Sequence, residues 1–572
     1  MKFIIKFFFF NYTIIAIILF STETFSKDTK FKYSSKNISN YFSGIVSLNQ
    51  NYTTRGFKYL DKVKPLKTAH SNFNVQYIHS LVLLGKFDEA FTFSKSIWDK
   101  DELFFEIDLL LGLQSFIKKD YRTAEKYFER LNTISKSNLL FDNFFGNILI
   151  TWIKASENNR SESIKFFEKI PKRYDNLKRI QNSFLHCYFD TTETESSFKE
   201  LIGNEKTGFS RYNFFLVNYL LSKNKILPAE ELVRSSINNF NQNLLMKQVK
   251  NFIDKKNYKK ITNLFNCNKP KENISEILYV VANMYSTQKN YKLSNFYLQI
   301  ALFLNDKFTP NKTLLAENYF YLKKYELTKK TYNSIKLIGP IYSWYANMSL
   351  AMVLSETDGK KYSTSFLTKK FNLISNPNLE NYYEFANFLK DNEYHEDSIK
   401  YYSLALKKTD KNHFLLAKIL DRRGTSYERI GDWKKAEIDL KESLKVLPDQ
   451  AHVLNYLAYT WIEKRKNLDE AFEMLIKANE LKENDGYIID SLGWAYYVNN
   501  NYLEAEKYLR RAVEIMPSDP IVNDHYADTL WMLNRNIQAR YIWKYVLNLD
   551  SAKKELKDKI NKKLIFGTAK KI

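Results

Sequence analysis

The stretch DSLGWAYYVNNNYLEAEKYLRRAVEIMP, Asp490 to Pro517, decides the fold. Apolar residues recur at i, i+3, i+4 and i+7 on both sides of the polar turn VNNNY, Val498 to Tyr502, which is the period of two amphipathic helices. Gly493 lies inside the first of them, where glycine costs about 1 kcal/mol relative to alanine, so its presence needs a packing reason. A second stretch, RRGTSYERIGDWKKAEIDLKESLKVLP from Arg422 to Pro448, repeats the arrangement with Gly424 in the same place.

A 34-residue frame generalises the pair. Gly44, Gly112, Gly146, Gly424 and Gly493 all occupy its eighth position, in frames that start at 37, 105, 139, 417 and 486, and Gly85 and Gly431 occupy the fifteenth. Seven of the 14 glycines thus fall on two positions, where random placement gives about one. Position 20 holds Ala90, Ala124, Ala436, Ala505 and Ala539, position 24 holds Phe128, Leu440, Leu509 and Trp543, and proline closes frames at Pro340, Pro448 and Pro517. Small residues at positions 8 and 20 let the two helices of a hairpin approach closely. A large side chain there would separate their axes.

This spacing resembles the tetratricopeptide repeat family, whose pattern also has aromatic residues near positions 11 and 17 and a proline at 32. The likeness is strongest in 417–553, clear in 71–138, 275–342 and 379–412, and looser in the frames at 139 and 343. One residue is inserted at Lys464 to Asn467, and 173–274 fits only by Pro228, Ala229 and helical periodicity. The resemblance implies an all-α fold, an α-solenoid superhelix of about fifteen helical hairpins whose core is buried only between neighbours and whose curvature creates a concave face.

The expected organisation is an N-terminal address at 1–26, a linker at 27–36, an N-terminal array at 37–172 and degenerate helical repeats at 173–274. A middle array at 275–412, a well-matched C-terminal array at 413–553 and a capping helix with a basic tail at 554–572 follow. Composition agrees with long helices: hydrophobic residues make up 44%, and 14 glycines and 10 prolines in 572 residues leave little for turn-rich sheets or phosphate loops.

The formal net charge of +23 raises the question of nucleic acid, because basic domains gain affinity by displacing counterions. Of 87 basic residues 71 are Lys and 16 are Arg, and they are scattered, so a solvated lysine surface accounts for the charge without nucleic acid. Weak attraction to an anionic membrane surface fits such scattered lysines better.

At the N-terminus, Lys2 and Lys6 precede the apolar run Phe7 to Phe20, and Thr24, Phe25 and Ser26 place small residues where a signal peptidase cuts. A secretory signal peptide is the first reading, which places the chain in the periplasm or envelope. An uncleaved inner-membrane anchor is the second, since Phe3 to Phe20 carries only Lys6 as a charge and approaches spanning length. No cysteine near the cleavage point offers a site for lipid attachment. Cys187 and Cys267 fall about five helix layers apart at roughly 8–10 Å per layer, beyond the reach of about 7 Å between Cα atoms, so two unpaired buried thiols are expected.

No sequence constellation suggests catalysis. G-x-G-x-x-G, G-x-S-x-G, the P-loop and H-E-x-x-H are absent, and the seven histidines (70, 79, 186, 395, 413, 452 and 525) never stand three or four apart, so no helix face offers two imidazoles to a metal. No catalytic residue, cofactor or metal is expected; unfamiliar chemistry in 173–274 is the remaining enzymatic reading.

Surface recognition is the alternative. In the family, positions 2, 5, 9, 12 and 13 of the frame line the concave groove, and in the last four full repeats these are Lys418, Asp421, Thr425, Glu428 and Arg429; His452, Asn455, Tyr459, Ile462 and Glu463; Tyr487, Asp490, Trp494, Tyr497 and Val498; and Ile521, Asp524, Asp528, Trp531 and Met532. Six are acidic and two basic, against the sign of the whole chain, and the aromatic residues among them are of the kind that dominates binding hot spots. The expected partner is a protein or peptide segment with basic and apolar side chains. The competing reading is structural: the tryptophans fill space between neighbouring first helices, and the carboxylates balance nearby lysines. Position 5 carries Asp or Asn and never Lys, which argues against the family's clamp for a carboxy-terminal carboxylate.

An exported array with this penultimate repeat resembles the outer-membrane adaptor lipoproteins that present cell-wall hydrolases to a processing protease. The resemblance implies a non-enzymatic scaffold or adaptor in the bacterial envelope. A membrane-anchored assembly factor is the alternative.

Overall fold

The computed structural model describes residues 33–68, 70–99, 102–135, 143–203, 209–239 and 243–568. The predicted address at 1–26 lies outside them. The described residues form helices and turns without a strand, an all-α solenoid of consecutive antiparallel helix pairs, and none of their helices is long and apolar enough to cross a membrane. They divide into two compact units, one ending at Gly359 and the other starting at Lys360. The division falls inside the middle array read from the sequence. The first unit holds nine hairpins and the helix Pro340–Thr357; the second opens with the helix Lys360–Phe371, continues through five hairpins and ends on the helix Lys554–Phe566.

Each hairpin is built as the frame implies. A Cβ on Gly493 would lie 2.6 Å from Leu509 Cγ, and one on Gly424 would lie 3.1 Å from Leu440 Cγ. Position 8 therefore faces position 24 of the partner helix, and glycine is retained because any larger residue would push that helix away. Position 15 has a different purpose: it is the left-handed residue that ends the first helix. Gly85 (φ 70°) and Gly431 (φ 86°) occupy it, but so do Lys119, Lys289, Lys323, Glu393, Asn500 and Asn534, with φ between 56° and 72°. The bonds around it are those of a helix C-cap: the Lys86 N–H donates to Leu81 O at 2.9 Å and the Asn501 N–H to Tyr496 O at 2.9 Å. The residue inserted near Lys464 is absorbed in the same turn, where both Arg465 and Asn467 are left-handed.

The first unit winds back on itself. Helix Tyr291–Leu304 packs against helix Ser71–Leu83: His79 stacks on Phe296 at 4.3 Å, Phe87 stacks on Phe303 at 4.2 Å, and Phe145 lies parallel to Tyr297 at 5.9 Å. Buried aromatic faces thus fill a space that an open superhelix would leave to solvent.

Residues 173–274 are helical throughout their regular elements, with short pairs from Asp175–Tyr188 to Tyr258–Thr262. Here the expectation of two unpaired thiols is overturned. Cys187 and Cys267 form a disulfide with Cα atoms 6.0 Å apart. Layer counting fails because these helices do not stack at a regular pitch: helix Asp175–Tyr188 packs against helix Pro270–Thr287, and Phe184 touches Phe215 and Phe265 at 4.9 and 5.5 Å. The chain turns back within the region and brings Cys267 onto Cys187. The partly buried Arg211 guanidinium is paired with the buried Glu276 carboxylate and lies 3.7 Å over the Tyr279 ring. Burial raises the Glu276 carboxyl, and the Arg211 charge beside it opposes that rise.

Candidate functional site

The predicted stripe lies in the second unit, on the first helices of its last four hairpins: Leu416–Arg429, Ala451–Glu463, Gly486–Val498 and Pro520–Met532. Position 2 forms an exposed edge of Lys418, His452, Tyr487 and Ile521, with Tyr487 60% accessible. Beside it Tyr459, Trp494 and Tyr497 are half-buried. Trp494 is the centre of a stacked group: Tyr497 lies 4.5 Å from it at an interplanar angle of 8°, and His525 lies 4.0 Å away on a nearly parallel plane.

Every one of the six predicted carboxylates meets a donor from the next helix along. His452 Nε2 is 3.1 Å from Asp421, the Tyr456 hydroxyl donates to Glu428 at 2.7 Å, and the Trp494 indole N–H donates to Glu463 at 2.6 Å. His525 Nδ1 lies 3.0 Å from Asp490. Lys563, on the final helix, donates to Asp524 and Asp528 at 2.7–2.8 Å. The acidic stripe is therefore first of all a ladder between consecutive first helices. Asp490, Asp524 and Asp528 are buried in it, while Asp421 and Glu428 are partly accessible and Glu463 is exposed.

Trp531 stands apart from the aromatic group. It packs 5.5 Å from Trp543, carries the Arg540 guanidinium over its ring, and is covered by Gly567, so it belongs to the capped end of the unit. Asn455 is half-buried, and among the described residues no partner accompanies its Oδ1. Three members of the ladder escape the frame reading. Tyr456 and His525 occupy position 6, one place beyond the stripe. Lys563 belongs to the cap, where only the facing Asp524 and Asp528 signal a role for one lysine among seven.

The ladder's electrostatics have a definite sign. Asp490, with help from Asp524 and Asp528, holds the His525 imidazolium above its ordinary range although burial opposes the charge. Burial and the Asp524 charge push the Asp528 carboxyl up to about 7. Both groups hold a proton more tightly folded than unfolded, so both stabilise the unit at low pH, and both contributions fall as pH rises through the folded value. His395, which burial lowers, acts in the opposite direction below about pH 6.5. His525→Asn is therefore expected to destabilise the second unit more at pH 6 than at pH 9. Urea titrations at the two pH values check this; equal losses would mean that His525 is neutral in the fold.

Among the described residues no group of three or more His, Cys, Asp or Glu side chains could hold a metal ion.

A tetratricopeptide-repeat family model matches residues 487–516, the hairpin that carries Gly493 and the left-handed Asn500. The chain carries tetratricopeptide repeats. Its array shares 34% identity over 103 residues with the TPR repeat-containing protein PA4667 of Pseudomonas aeruginosa, a segment that spans 18% of each chain. Among solved structures, a tetratricopeptide repeat protein from Parabacteroides merdae aligns with 38% of this array and 86% of its own length at 19% identity and a TM-score of 0.33. A thermophilic TPR protein of Thermus thermophilus aligns with 32% of the array and 98% of its own length at 15% identity and a TM-score of 0.28. Such repeats serve in general as scaffolds for protein–protein interaction.

Proposed function

We propose that the chain is a non-enzymatic scaffold of the bacterial cell envelope that holds a basic and apolar segment of a partner protein on the first-helix face of its second unit. The observation that carries this reading is the exposed edge of Tyr487 and Ile521 beside the stacked Trp494, Tyr497 and His525. It offers rigid aromatic area next to the accessible carboxylate of Glu463. Aromatic anchors with a polar rim are how a small part of a surface supplies most of the binding energy. Since the buried Asp490, Asp524 and Asp528 are taken up within the ladder, attraction for a basic segment comes from Asp421, Glu428 and Glu463.

Export is supported by the Lys2–Phe20 pattern and by the Cys187–Cys267 bridge, because structural disulfides persist in oxidising compartments. The alternative, an anchored assembly factor, depends on whether residues 1–26 are removed, and a mature N-terminus at Lys27 would exclude it. A photo-crosslinking residue at position 487 is expected to trap envelope proteins in cells, whereas the same residue at the exposed Tyr541 on a second helix is not. Identical adducts at both positions would defeat the proposal.

A further inference from the structure

Because the first unit winds back on itself, its two ends enclose a cleft of about 680 Å³. One wall comes from the turn of the first hairpin and the end of helix Ser71–Leu83; the other comes from helices Tyr291–Leu304, Thr309–Tyr321 and Tyr325–Ile335. Five cations line it: Arg55, Lys292, Lys312, Lys324 and Lys330. No aspartate or glutamate does. Among the described residues none of the five has an ion-pair partner, although ion pairs are common elsewhere on the chain.

Lys292 and Lys324 are the informative pair, because both are only partly accessible. The Lys292 ammonium has the Gln76 amide oxygen at 3.4 Å, and the Lys324 ammonium sits 3.9 Å over the Tyr52 ring. Burial lowers both amines from their ordinary range. A desolvated ammonium without a counter-charge is costly, and an anion that enters the cleft removes that cost. The rest of the lining is largely apolar, with the partly accessible Leu83 and Leu84 on the facing wall and Leu302 and Leu322 beside the lysines. A bare inorganic anion would leave these leucines wet, and an uncharged chain would leave the ammonium groups unpaired.

We propose that this cleft binds a single-chain anionic amphiphile, an alkyl or acyl chain that ends in a phosphate or carboxylate. The chain lies along the leucines and the head group meets Lys292 and Lys324. The volume is that of a small-molecule site, and the ligand class differs from the protein segment assigned to the second unit.

Titration calorimetry on the full chain with octyl phosphate, below its micelle concentration, tests the assignment. Octyl phosphate is expected to bind, with octanol and inorganic phosphate each about tenfold weaker or more, since a charge-assisted hydrogen bond and a buried chain both contribute. Lys292→Gln combined with Lys324→Gln is expected to weaken octyl phosphate by about tenfold or more with an unchanged circular-dichroism melt. If that variant does not fold, Lys312→Gln with Lys330→Gln takes its place with a smaller loss expected in the same direction. Equal binding of octanol and octyl phosphate would overturn the proposal. So would an unchanged affinity in the folded lysine variants, or tighter binding of a polyglutamate peptide than of octyl phosphate.

Discussion

Replacement of Lys563 by methionine is expected to lower the stability of the second unit by about 3–5 kcal/mol, the usual cost of removing one partner from a buried ion cluster. The Lys563 ammonium has three N–H donors and faces four carboxylate oxygens of Asp524 and Asp528 at 2.7–2.8 Å. Both aspartate side chains are under 10% accessible. Without the ammonium, the two carboxylates repel each other in a place water barely reaches. Methionine keeps the stem that covers this end of the unit, so the loss reports the charge. Two further results separate charge from packing. The loss is expected to shrink on acidification, as the raised Asp528 carboxyl takes up a proton, and Asp524→Asn with Asp528→Asn in the same background is expected to recover most of it. Hydrogen exchange of helix Pro520–Met532 in the full chain measures all three. If Lys563→Met exchanged like the parent at pH 8, the ammonium would contribute nothing to the fold.

The second large effect concerns the first unit. Cys187→Ala with Cys267→Ala removes a bridge between residues 80 apart, and the chain-entropy relation for a loop of this size gives about 4.5 kcal/mol. The loss is expected in urea unfolding monitored in the first unit, and a reducing agent is expected to reproduce it in the parent chain. The two treatments should not add. An unfolding curve insensitive to both would show that the thiols are not joined in solution.

These two contacts differ in how far they can be read from the sequence. The charge pattern around Lys563 is visible there: a basic final helix beside Asp524 and Asp528. The frame assigns those acids to a groove for a partner, and the structure places the chain's own lysine between them. The contact depends on where one helix ends and the next begins in space, which the frame does not specify for a helix outside it. Trp494 and Tyr497 likewise belong together by positions 9 and 12. His525, which completes their stack, comes from position 6, which is not among the positions assigned to the groove. For Cys187 and Cys267, a constant layer spacing does not hold through 173–274, the region that the frame fits only by Pro228, Ala229 and helical periodicity.

By itself the sequence determined the repeating unit. Gly493 meets Leu509 and Gly424 meets Leu440, each pair sixteen residues apart in one hairpin, so a window of 34 residues contains every contact that sets helix pairing, turn and register. Position 15 shows how strong that local determination is, since lysine and glutamate adopt the left-handed turn there despite its cost to a residue with a Cβ. Only the tertiary structure decided how the units close: His79 against Phe296, Phe87 against Phe303, Cys187 against Cys267 and Lys563 against Asp524. In a solenoid each repeat adds a small rotation to the last. Whether distant residues meet depends on the sum of those rotations, to which every interface contributes and which no single repeat encodes.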